Sequence, residues 1–176
     1  MNTSKGKENE HIPSFTTLRS FISYKFSELR VRALHDSYLK KLTGSESKLE
    51  VFPGKEARLL PSRQLIGIKN IRVNQIVGTL NRETDFDHQF RPLKKHILSR
   101  WVNAYILHGQ DDWFPILVHK IREQYFVEDG HHRVSVARVI GMDFIEAKVW
   151  EYSSQSKNQM RVSPQNARRK VRQKFM

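Results

Sequence analysis

Apolar side chains recur every three or four residues from Phe15 onward. Phe15, Leu18, Ile22, Phe26, Leu29 and Ala33 fall on one stripe of a helix. A second stripe, Val31, Leu34, Tyr38 and Leu42, is rotated from the first. That offset implies a bend, two short helices, or one helix that meets two surfaces. Gly44 supplies the stop. Residues 1–12 show no apolar period, and a disordered start is predicted there. Residues 45–63 are mixed, with Pro53-Gly54 and Pro61 as turn signals.

The domain proper is predicted over residues 64–152. Ile68, Ile71 and Val73, then Ile76 and Val77, read as a short strand with a turn at Gly78. Residues 79–91 are polar and read as a loop. Pro92 suits the first turn of a helix, whose apolar face is Leu93, Ile97, Leu98, Trp101, Val102, Tyr105 and Ile106, stopped by Gly109. Phe114 to Lys120 and Tyr125 to Val127 read as a hairpin around a turn at 121–124. Val134, Ala137, Val139 and Ile140 mark a second helix ended by Gly141, and Phe144 to Trp150 a final strand. The predicted class is α+β: a small mixed sheet with flanking helices, preceded by a helical segment and linker over 13–63 and followed by a basic disordered tail over 153–176.

Composition narrows the possibilities. The chain of 176 residues suits one domain plus tails. It has no Cys, which excludes disulfides, Cys-based metal sites and a thiol nucleophile. No apolar run approaches the roughly 18 residues of a membrane span. Met1 to His11 is polar without a signal-peptide core, so a soluble, cytoplasmic protein is expected.

The net charge of +13 predicts attraction to a polyanion, and its distribution says where. Residues 155–176 hold seven bases and no acid. Residues 15–45 hold six bases against two acids, whereas residues 46–154 hold 16 bases against 14 acids. The polyanion signal therefore belongs to the ends. In the tail, Arg168, Arg169, Lys170 and Arg172 suit a phosphate-backbone clamp on DNA or RNA, or else a solvated terminus. The basic amphipathic helix suits docking on the domain, a homodimer, nucleic acid or a membrane surface.

The densest chemistry lies at Glu128-Asp129-Gly130-His131-His132-Arg133, where a predicted strand runs into a predicted helix. Such a turn aims free backbone amides at an anion, and the helix dipole assists. Gly130 lets a phosphate approach the backbone, Arg133 offers a fork, and His131 and His132 offer hydrogen bonds. Asp129 suits a helix cap, a ribose hydroxyl or a hydrated magnesium ion. The competing reading is a capped helix with solvated His and Arg side chains. Glu83, Asp85 and Asp87 form an acidic loop. Glu83 and then Asp85 are the candidate general bases, set against a solvated loop with local ion pairs. No metal site is expected, because the His residues lack ligand spacing.

Residues Asn70 to Gly78, Phe114 to Val118 and above all Tyr125 to Arg138 resemble the ParB/sulfiredoxin superfamily, and more closely its ParB-like nuclease domain branch. The resemblance covers a little under half of the chain. It implies a nucleotide (ATP, ADP or CTP, with or without Mg2+) whose phosphates sit on the Asp129–Arg133 turn. Sulfiredoxins carry a Cys where His131 stands, so sulfinic-acid repair is excluded. Partition proteins carry a paired-Arg motif in the loop and a helix-turn-helix domain after it. Here the loop reads Gly-His-His-Arg and only 24 residues follow Tyr152. Free serine kinases share the Asp-Gly-His-His-Arg run. The expected function is a ParB-like nucleotide-binding protein that associates with nucleic acid through its basic ends, as a regulator or partition-related factor. The alternatives are a small-molecule phosphotransferase and, third, a metal-dependent nuclease.

Overall fold

A computed structural model describes residues 15–45, 47–54, 62–110 and 113–153. The predicted disordered start at 1–12, the basic tail and its Arg168, Arg169, Lys170 and Arg172 lie outside the described residues. The elements are α1 (Phe15–Leu42), β1 (Glu50–Val51), β2 (Ser62–Arg72), β3 (Ile76–Thr79), α2 (Leu98–His108), β4 (Ile116–Ile121), β5 (Gln124–Asp129), α3 (His131–Val139) and β6 (Phe144–Ser153). The class is α+β, with an N-terminal helix, a six-stranded mixed sheet and two further helices.

The strands lie in the order β1-β3-β5-β4-β6-β2. β4 pairs antiparallel with β5 through the expected hairpin and parallel with β6, while β2 pairs antiparallel along β6. β3 pairs parallel with β5, and β1 extends that edge in parallel. Ile116 and Val118, Val127, and Ile145, Ala147 and Val149 sit at alternate strand positions. They join one core with Ile22 and Phe26 of α1, Trp101 and Val102 of α2, and Val134 and Val136 of α3. Among the described residues, all three helices therefore draw on one sheet face. On the other face, Phe52 packs against His119, Phe126 and Tyr152 at centroid distances of 5.3 to 5.5 Å.

Trp101 is the centre of the helical layer. It is fully buried, meets Phe26 edge-on at 5.6 Å, and donates its indole N–H to Ser135 Oγ at 2.9 Å. A buried aromatic of this size stabilises by about 2–3 kcal/mol through area alone. The hydrogen bond removes the cost of hiding the indole N–H.

Several expectations change. α1 is a single helix of 28 residues, with Ile22, Phe26 and Ala33 buried and the second stripe exposed. It packs on α2, as one of its expected fates, and Ile22, Phe26 and Leu49 join the same core as the later strands. The stretch read as one strand is two, β2 and β3, separated by a 3-10 turn at Val73–Gln75. Gly78 lies within β3 and is not a turn. A Cβ there would meet the Glu50 carbonyl oxygen at 2.3 Å, so glycine is what admits β1 alongside. Pro92 does not open a helix. It bridges to Phe86, and α2 begins only at Leu98 after a 3-10 turn at Lys95–Ile97. The stretch read as a polar loop carries Phe86 and Phe90 into the core, at 0% and 1% exposure.

Candidate anion and nucleotide site

β5 ends at Asp129, and α3 starts at His131 with Gly130 between them at φ +101°. Only glycine holds this conformation without strain. The position is closed for a second reason: a Cβ would lie 2.4 Å from Ile116 Cγ2. Gly130 is thus required by the packing of its own turn against β4. The Val134 amide donates to the Gly130 carbonyl at 3.0 Å and closes the first helical turn. The amides of His131, His132 and Arg133 precede the first intrahelical bond and point out of the helix start.

The five predicted residues are brought together but do different work. The Asp129 carboxylate, a candidate cap, instead accepts from Arg133 Nη2 at 2.7 Å. The Arg133 guanidinium also donates to the carbonyls of Phe114 and Pro115. It is a strut between α3 and the approach to β4, not a free fork. His131 is buried and faces inward, with Nε2 2.7 Å from Thr79 Oγ1 and its ring stacked on Phe86 at 6.2 Å. Burial first, then the positive charges of Arg82 and His132, push its pKa down to about 4. His132 is half-buried and meets Phe86 edge-on at 5.6 Å. Its Nε2 is buried without a hydrogen-bond partner. Burial, then Arg100 and Arg82, push this ring down to about 4 as well.

A cleft of about 440 Å³ opens in front of the turn. Its floor is Asp129 to Arg133 except the inward-facing His131, one wall is Arg100, Asn103 and Leu107 of α2, and the other is Trp113, Phe114 and Pro115. Trp113 is fixed by donating to the Ala104 carbonyl at 2.8 Å, while Phe114 is 78% exposed. Exposed Arg100 supplies the positive charge that Arg133 does not. A phosphate fits the helix start and Arg100, and a planar ring fits the Trp113 and Phe114 side.

The acidic loop divides differently from expectation. Asp85 is buried and held by Arg82 at 2.9 Å, and it is close enough to both His rings to act on their titration. Asp87 is fully buried and structural. Its carboxylate accepts from the amides of Gln89 and Arg91 and from the Arg91 side chain, and Arg91 continues to Asp36 of α1 at 2.8 Å. Glu83 is half-buried and, like Asp85, does not line the cleft. Among the described residues, no three His, Asp or Glu side chains gather as a metal cluster, and no helix is long and apolar enough to cross a membrane.

Thr79, Phe86, Arg100, Trp113 and Phe114 were not singled out from the sequence as site residues. Arg100, Asn103, Ala104 and Leu107 carry a legible signal, since their 3-1-3 spacing makes a mixed stripe on α2 beside the apolar one. Compared with family models, curated proteins and solved structures, the chain matches none of them.

Proposed function

We propose that the protein binds a nucleotide in the cleft before α3, as a ParB/sulfiredoxin-like domain, and associates with nucleic acid through its basic ends as a regulator or partition-related factor. The observation that carries this reading is the cleft itself. Its floor is Asp129, Gly130, His132 and Arg133, its exposed cation is Arg100, and the buried Nε2 of His132 has no hydrogen-bond partner. The Asp-Gly-His-His-Arg run at a strand-to-helix turn supports the family likeness, and the seven bases beyond residue 154 support the nucleic-acid part.

The acids favour binding over phosphoryl transfer. Asp85 is engaged by Arg82 away from the cleft lining, and Asp129, the one carboxylate in the cleft among the described residues, is engaged by Arg133. A phosphotransferase would need one of these freed to act as base. The metal-dependent nuclease has no carboxylate cluster among the described residues to hold its ion.

Calorimetric titration with ATP, ADP and CTP, with and without Mg2+, is the test. Saturable binding is expected, weakened about tenfold or more by Arg100→Ala, because a charge-assisted contact contributes about 1.5–3 kcal/mol. Equal affinity of wild type and variant removes the cleft from the proposal. Gel shifts with residues 1–176 and 1–154 test the tail. A salt-dependent loss of DNA affinity on truncation is expected, and equal affinity at every salt concentration refutes the clamp.

A further inference from the structure

α1 presents two opposite faces, and among the described residues only one packs against the body. Ile22, Phe26 and Ala33 are buried on the body side, where Arg30 donates to the Leu93 carbonyl at 2.9 Å and Asp36 meets Arg91. On the outer side, Phe21, Tyr24, Glu28, Val31, His35, Tyr38 and Leu42 are spaced 3-4-3-4-3-4. Tyr24 is 70% exposed and Leu42 67%, and Phe21, Val31 and Tyr38 are each more than half exposed. Leu34 and Leu39 flank this line and are also exposed.

A 3-4 repeat over three heptads is the spacing of a coiled-coil seam, in which a second helix of the same pattern fills the holes between knobs. From these observations we propose that α1 pairs antiparallel with α1 of a second copy of the chain, making a two-fold homodimer.

Three observations select this occupant. The spacing is self-complementary, as a two-fold contact requires. The outer apolar side chains expose on the order of 700 Å² together, close to the ~800 Å² per partner of a standard specific interface. This exceeds the few hundred Å² of apolar patch that a monomer ordinarily leaves open. The seam's two polar positions set the orientation. A parallel pair would stack Glu28 on Glu28 and His35 on His35. An antiparallel pair sets those positions against the Tyr and Val positions of the other copy. Glu28 is already compensated by Arg32 of its own helix at 2.6 Å. The cleft before α3 is not part of this contact, so the dimer stands independently of nucleotide binding.

Light scattering on the full chain at micromolar and higher concentrations tests the proposal. Twice the monomer mass is expected. Val31→Glu with Tyr38→Glu, at exposed positions, is expected to give the monomer mass with an unchanged circular-dichroism spectrum. Because the chain has no Cys, single cysteines read the orientation on an otherwise native surface. Val31→Cys, near the middle of the seam, is expected to cross-link to itself with a short bis-maleimide, and Leu42→Cys, at its end, is not. A monomeric wild type, a dimer that survives the double substitution, or cross-linking at Leu42→Cys overturns the proposal.

Discussion

Thr79 Oγ1 lies 2.7 Å from Nε2 of His131, and this contact fixes the proton on the imidazole. The amides of Asn81 and Arg82 both donate to the same hydroxyl oxygen, at 3.1 and 3.0 Å. A threonine hydroxyl has two acceptor sites and one donor. With both acceptor sites engaged, its hydrogen goes to His131 Nε2, which must present a lone pair. His131 is therefore neutral with its proton on Nδ1, in keeping with the downward push that burial exerts on its pKa. The end of β3, the start of the acidic loop and the start of α3 meet at one oxygen atom.

Thr79→Val keeps the shape and removes that oxygen. Two amides and a buried ring nitrogen lose their partner, so a stability loss of about 2–4 kcal/mol is expected, with most of it recovered in Thr79→Ser. Urea midpoints of the three proteins measure this. A Val variant as stable as wild type contradicts the hydrogen-bond assignment.

The two His rings predict a pH dependence with a definite sign. Each has a pKa of about 4 in the fold, against 6.5 unfolded. Between those values the unfolded chain binds more protons, so stability falls as pH drops from about 6.5 towards 4. The contribution is complete above that window and fully lost below it. Each ring costs at most about 1.4 kcal/mol per pH unit. Ring resonances followed by NMR should titrate near 4 for both residues, and a midpoint near 6.5 for His131 would contradict its burial.

Gly130→Ala should destabilise by more than about 2 kcal/mol, since it combines a left-handed backbone with a Cβ 2.4 Å from Ile116 Cγ2. Adding Ile116→Ala removes the Cγ2 contact and leaves the residue-116 Cβ at 2.8 Å together with the backbone strain. The double variant is therefore expected to be more stable than the sum of the two single losses predicts. Strict additivity in thermal or urea melts would mean that the Cγ2 contact contributes nothing to the cost of Gly130→Ala.

Asp87 and Asp36 share Arg91 but not its importance. Asp87 is fully buried and accepts two amides as well as the guanidinium, so Asp87→Ala should cost about 3–5 kcal/mol. Asp36 sits at the exposed end of the same guanidinium, and Asp36→Ala should leave the melting midpoint nearly unchanged. A reversal of that order in thermal melts would mean that α1 docking, not the loop, depends on Arg91.

The legible parts of the fold were those with a period. The hairpin of β4 and β5, the body stripe of α1, the glycine stops at Gly44 and Gly141 and the long β6 each carry their own local signal. Phe86 and Phe90 carry none. They stand in a polar stretch without alternation, and they reach the core because Asp87 and Arg91 fold that stretch back on itself. Gly78 looked like a turn because local sequence does not reveal that another strand's carbonyl occupies the space of its missing side chain.

The sequence by itself determined where the chemistry gathers. A strand-to-helix turn carrying Asp129 to Arg133 follows from hydrophobic periods and from a glycine between them, both local properties of the chain. The tertiary structure alone decided what each of those residues does. Arg133 became a strut because carbonyls 18 and 19 residues earlier in the chain come within reach of it. His131 turned inward because Thr79, 52 residues away, is the partner that satisfies it. Arg100 became the cleft's exposed cation because α2 packs beside α3. Hydrogen bonds and charges act over a few ångströms in space, so the role of a polar side chain is set by neighbours that sequence distance does not reveal.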